Sequence, residues 1–139
     1  MLEQLFRTAE MNYLPRGLHA STMRHEVISN NLANINTPKF KRSELEFEEL
    51  LAKEIYGDEP TGKLQMVRTH EKHLPMKKLP FIAEPQITLD SSTTMRVDKN
   101  NVDVDIEMAT MAKNQLYFSA MARQLGSYVS RMKNTISSK

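Results

Sequence analysis

From Val102 onward the chain carries no proline and a single glycine, Gly126, and its apolar residues recur every seven positions. Val104, Met111, Phe118, Leu125 and Met132 stand at strict seven-residue intervals, and Met108, Gln115, Ala122, Val129 and Ile136 repeat the spacing four residues later. Nine of these ten positions are apolar, Gln115 being the exception. A 3.5-residue period keeps one seam of a helix against its partners through left-handed supercoiling. It predicts a helix over Val102–Ile136, roughly 50 Å long at about 1.5 Å per residue. Asp103, Asp105 and Glu107 in its first turns, and Arg131, Lys133 and Lys139 near its end, complement the helix dipole.

A seam of this length cannot stay in water. Burying one Leu- or Met-sized side chain is worth about 1.5–3 kcal/mol, so several left exposed would consume much of a small protein's stability. Near the N-terminus, Leu2, Leu5, Phe6, Ala9 and Tyr13 fall at the three- and four-residue steps of a short amphipathic helix, which Pro15 and Gly17 are expected to interrupt. A second helix is expected over Leu18–Asn34. There Leu18, His25 and Leu32 lie seven residues apart, Ile28 and Ile35 widen the stripe, and Ala20, Met23 and Val27 form another. Pro38 stops it by crowding the preceding residue out of helical geometry. These two helices together match the C-terminal one in length and can cover one side of its seam. Other subunits are natural candidates for the remainder, although periodicity alone equally permits an isolated helical hairpin or a plain coiled-coil dimer.

The stretch between is different in kind. A short helix is expected over Ser43–Ile55, with Leu45, Phe47, Leu50, Leu51 and Ile55 as its apolar face. After Gly57 the pattern dissolves among Pro60, Pro75, Pro80 and Pro85, and the segment reads as an extended loop. Gln86–Leu89 is β-prone, but no turn signal fixes a hairpin there. The expected fold class is mainly α, with N- and C-terminal helices paired as a coiled-coil-like bundle around an extended, partly β or irregular middle. Residues 1–37 form the N-terminal helical segment, 38–100 the middle and 101–139 the C-terminal heptad helix; the first and last make one module.

Composition excludes several classes. With no cysteine there is no disulfide framework, thiol nucleophile or thiolate metal site. A formal charge of +2 from 19 basic and 17 acidic residues is too balanced for a nucleic-acid coat. The first residues lack the basic region and apolar run of a secretory signal, and no apolar stretch is long enough to predict a transmembrane helix. His70, Glu71 and His73 lack the one-turn histidine spacing of zinc proteases, and four dispersed glycines make no phosphate loop. No catalytic residue, cofactor or metal is expected.

The run Asn30–Arg42, which contains Asn31, Ala33, Asn34, Thr37, Pro38 and Phe40, resembles the N-terminal signature of flagellar rod, hook and hook-associated proteins. That signature reads N-N-x-A-N-x-x-T-P-G-[FY]-K. Asp98–Met108, Arg68–Leu74 and Ala112–Tyr117 look like stretches of the proximal-rod branch of that family. The Ser-Gly-Leu element of its sister branch, rod protein C, does not occur here. Lys39 and Lys99 stand where the family usually has Gly, which implies a different local turn or some strain.

The resemblance implies a non-enzymatic structural subunit of the flagellar basal-body proximal rod. It would polymerise by helix packing, transmit torque, and pass through the flagellar type III export apparatus without a cleaved signal peptide. Its location would be the rod within the cell envelope. Its partners would be further copies of itself, rod protein C, the other rod proteins and the rod–basal-ring junction protein E, with no nucleic acid and no small-molecule substrate. Val104, Met111, Phe118, Leu125 and Met132 would form the seam, between subunits or within the hairpin, opposed by Leu18, Leu32 and Ile35. Asn31, Asn34, Thr37 and Pro38 would set the helix end, Phe40 would anchor the following strand, and Lys41 and Arg42 would either meet acidic groups on neighbouring subunits or form a solvated basic turn. The alternative is a cytoplasmic coiled-coil adaptor or export chaperone holding another protein's helix in the same seam.

Overall fold

A computed structural model describes residues 9–56, 82–91 and 97–137. In chain order they form α1 (Ala9–Ala33), β1 (Ser43–Glu46), α2 (Glu48–Tyr56), β2 (Gln86–Leu89) and α3 (Val104–Ser137). The fold is mainly helical, with the N- and C-terminal helices packed together and one two-stranded sheet, β1–β2, in the middle. The chain divides into two compact units, Met1–Leu45 with Ile87–Lys139, and Glu46–Gln86.

The heptad spacing locates α3, but the helix starts two residues later than expected. The Asp103 carboxylate accepts the backbone N–H groups of Asp105 at 2.9 Å and Ile106 at 3.4 Å, and so caps the helix from outside it. Asp105 and Glu107 lie in the first turn as expected, and Glu107 is in addition fully buried. Helix α1 runs unbroken through Pro15 and Gly17, contrary to the expected interruption. A proline inside a helix removes one backbone hydrogen bond and is unfavourable by about 3 kcal/mol, yet α1 is held along its length by α3. At Gly17 the two helices lie close together: a Cβ there would stand 2.8 Å from the Met121 Sδ.

The expected helix over Ser43–Ile55 is half right. Ser43–Glu46 is a strand, because Ser-Glu-Leu-Glu alternates and buries Leu45 while Glu44 and Glu46 face water. The helix begins at Glu48, with Glu48 and Glu49 at its positive end and a Lys53–Glu49 pair one turn apart at 2.9 Å. In that unit Phe47 and Ala83 are buried, and the Ala83 N–H donates to Glu54 at 2.7 Å. Gln86–Leu89 is a strand, paired with β1 rather than with a neighbouring hairpin arm. In the first unit the buried apolar residues are Ala20, Val27, Ile28, Leu45, Val102 and Tyr128.

Several expectations lie outside the described residues: the helical steps at Leu2, Leu5 and Phe6, the loop with Gly57, Pro60, Gly62, Pro75, Lys77, Lys78 and Pro80, the Arg68–Leu74 stretch, and the His70, Glu71 and His73 cluster.

Lys39 and Lys99 both adopt left-handed backbone, with φ of 63° and 64°. The glycine-like conformation is therefore kept although the glycine is absent, and the strain is carried by lysine. The two turns are tied together, since the Lys39 N–H donates to the Asp98 carbonyl at 2.9 Å. Replacing a strained non-glycine residue by glycine in this region removes the clash of its Cβ. Lys39→Gly and Lys99→Gly are each expected to stabilise the isolated chain by about 1 kcal/mol, read as a higher urea midpoint with an unchanged slope.

Candidate assembly surface

The end of α1 leaves backbone carbonyls that need donors. Asn34 supplies one locally, its amide donating to the Asn30 carbonyl at 2.9 Å while its own Oδ1 accepts the Thr37 hydroxyl at 3.2 Å. Asn100, fully buried and 63 or more residues away in the chain, supplies the rest. Its amide nitrogen donates to the carbonyls of Asn34, Ile35 and Thr37, each at 3.0 Å. Two hydrogens serve three acceptors, so one is shared. The Asn100 Oδ1 accepts the Val102 N–H at 2.8 Å, which aims the chain into α3.

Two more buried amides act as stand-ins for backbone. Asn31 accepts the Ser43 N–H at 3.0 Å and donates to the Ser43 carbonyl at 2.8 Å, pairing with β1 as a neighbouring strand would. Asn101 accepts the Arg42 N–H at 2.8 Å and donates to the Asp90 carbonyl at 2.7 Å, beside the backbone bond from Asp90 to Arg42. Among the described residues no buried side-chain nitrogen or oxygen lacks a hydrogen-bond partner.

The α1–α3 seam carries two polar rungs. In one, the Ser21 hydroxyl donates to Asn114 Oδ1 at 2.8 Å, and the Asn114 amide returns a bond to the Ser21 carbonyl at 2.9 Å. In the other, Glu107 accepts Asn31 Nδ2 at 3.2 Å on one oxygen and Arg42 Nε on the other. Burial works against the Arg42 charge, but the hydrogen bond and charge of Glu107 outweigh it and hold the guanidinium pKa above its ordinary value. Arg42 thus meets an acid within its own chain, in place of the neighbouring subunit or solvated turn expected for it. The contacts Gly17–Met121, Ser21–Asn114 and Asn31–Glu107 descend along α3 as they ascend α1, so the helices are antiparallel.

These contacts show which row of α3 meets α1 within the chain. The row of α3 against α1 is Glu107, Asn114, Met121 and Tyr128, set three residues from the Met111, Phe118, Leu125 and Met132 row. Met108, Gln115, Ala122, Val129 and Ile136, expected to complete the seam, are all exposed. The sequence pattern therefore joined the outward row to an intermediate row lying between the outward and inward ones. Met111, Leu125 and Met132 are half-buried between them, Phe118 is 38% exposed and Val104 is exposed. On the other helix Leu18 and Leu32 are half-buried, as is Ile35 just past its end, and His25 is exposed. Phe40 is half-buried; Ala33, Thr37 and Pro38 are exposed.

Ser21, Arg42, Asn100, Asn101, Glu107 and Asn114 were not singled out for these roles by sequence. Their row, Glu107, Asn114, Met121 and Tyr128, is half polar, so apolar periodicity did not mark it, and nothing marked Ser21. Removing one partner of a buried ion pair strands the other charge. Glu107→Leu is expected to destabilise the isolated chain by about 3–5 kcal/mol in urea unfolding. Asn100→Asp, which turns acceptors toward three carbonyls, should destabilise more than Asn100→Ala, itself worth about 1–3 kcal/mol by the same measurement.

Among the described residues no helix is long and apolar enough to cross a membrane. A family described as "Flagella basal body rod protein" matches residues 11–41, the stretch holding most of α1 and the asparagine-rich turn after it. Three relatives carry the name flagellar basal body rod protein FlgB. That of Borreliella burgdorferi is 35% identical over 85% of this chain and 88% of its own. The Bacillus subtilis protein is 28% identical over 88% and 89%, and the Escherichia coli protein 28% identical over 99% of each. Identity at this level over most of the chain settles membership: the chain belongs to the flagellar basal body rod protein FlgB family, whose members are structural subunits and not enzymes.

Proposed function

We propose that this basal-body rod subunit polymerises through the outward rows of α3 and sits in the proximal rod, where a tube of packed helices transmits torque. The observation that carries the reading is the outward apolar row, in which Met108, Val129 and Ile136 leave 53%, 48% and 63% of each residue's surface exposed. It borders the half-covered row Met111, Phe118, Leu125 and Met132, so a neighbouring helix laid between them would complete two-sided coverage of α3. Leu18, Leu32 and Ile35 offer a smaller half-covered patch on the other helix. Further copies of the chain, rod protein C, other rod proteins and the junction protein E are the partners this reading assigns. Export through the flagellar type III apparatus, without a cleaved signal peptide, delivers the chain to the envelope. The names of its relatives, all rod proteins, favour this over a cytoplasmic coiled-coil adaptor or export chaperone.

Mass spectrometry of purified basal bodies from cells carrying a tagged copy tests the location. The chain should be present, and should disappear when flagellar export is blocked; a purely cytosolic chain with export intact would overturn the proposal. Phe118→Glu tests the surface. In the free chain the added carboxylate reaches water, because the position is partly open, and far-UV circular dichroism should be unchanged. In an assembled rod it would be buried and unpaired at a cost of several kcal/mol, so incorporation and motility should be lost. Motile cells with normal rods would rule the surface out.

A further inference from the structure

Helix α3 has two candidate faces for α1. The outward row Met108, Ala122, Val129 and Ile136 is apolar except for Gln115, whereas the row α1 occupies contains Glu107 and Asn114. By residue type the outward row, with one polar member, is the more apolar of the two. Yet α1 packs on the more polar one, and every buried polar atom there is satisfied. Ser21 and Asn114 exchange two hydrogen bonds, and Asn31 and Arg42 share Glu107.

We infer that Ser21, Asn114 and Glu107 are specificity-determining residues for assembly: they hold α1 on one face of α3 and so keep the apolar face free for a neighbouring subunit. Single polar residues within apolar heptads are known to fix register at some loss of stability, because only one alignment satisfies them. Here the two rungs are ten residues apart on α1 and seven apart on α3, so no sliding by a heptad satisfies both. A rotation of α1 toward the outward row breaks both at once. Gln115 adds a penalty on that side, since α1 lying over it would bury an amide with no partner assigned to it. Assembly and folding thereby use adjoining faces of one helix without competing for them.

The consequence for assembly rests on the proposed outward interface; the choice of face does not, and it is testable in the free chain. Because the protein has no cysteine, introduced pairs report the face directly. One reporter is Gly17→Cys with Met121→Cys, for the face observed here. The other is Gly17→Cys with Ala122→Cys and Met121→Ala, for the outward face. With the rungs intact the first pair should cross-link and the second should not compete. With Ser21→Ala, which leaves the buried Asn114 Oδ1 without its donor on the inward face, the ratio of inward to outward cross-linking should fall about tenfold, the equilibrium effect of one buried hydrogen bond, and adding Gln115→Leu should lower it further. Gln115 is exposed, so Gln115→Leu with the rungs intact provides a folded control that should leave the first pair dominant. If the first pair stays dominant in the rung variants, the inference is overturned, whatever happens to rods. If the ratio shifts but the variants still enter basal bodies normally, the choice of face stands and the outward interface fails.

Discussion

A carboxylate with no exposed surface must be answered by donors, and Glu107 is answered on both oxygens, which ties three parts of the chain together. Asn31 reaches it from α1, Arg42 from the segment that leads into β1, and its own backbone belongs to α3. The parts it gathers come from 65 and 76 residues away in the chain. Asn31 bonds Ser43 with the rest of its amide, and Asn101 bonds the backbone of Arg42, so the ion pair lies within a continuous net of amides. Desolvating such a pair is expensive, and the excess of hydrogen bonds around it is what makes the arrangement tolerable. Position rather than raw stability is what it supplies: the helix end, the strand start and the second helix are each fixed relative to the others.

Much of this could be read from the residues, and the failures have physical causes. The length and place of α3 were legible because a 34-residue helix with one glycine and no proline repeats its signal many times. Which neighbours of Met111 and Phe118 turn inward was not legible. Apolarity ranks rows by hydrophobicity, and here α1 takes the row whose polar members find partners. Asn34, Thr37 and Pro38 could be assigned to a helix end, but the donor that completes it, Asn100, is a tertiary contact invisible to local spacing. Pro15 and Gly17 read as a break because local rules count the missing hydrogen bond and not the neighbouring helix. Leu45 belonged to either a helical or an alternating pattern, and pairing with Gln86–Leu89 decided it.

With the outward rows as the proposed assembly surface, the division of labour on α3 is economical. The inward rungs make the α1–α3 hairpin specific, while the rows left open are chemically generic, Met- and Val-rich. Methionine adapts its shape to different contacts. A generic outer surface on a specifically folded subunit suits a position where unlike neighbours must be accepted.

The hydrogen bonds between Ser21 and Asn114 close a span of 93 residues. Such distant closure is slow, because loop entropy is lost before any contact repays it. A chain emerging N-terminus first would present the apolar side of α1 long before α3 exists to cover it. Folding of the hairpin is therefore an event of the final quarter of the chain's appearance, and until then the early helix is a sticky, half-finished surface that must be kept apart from its own kind.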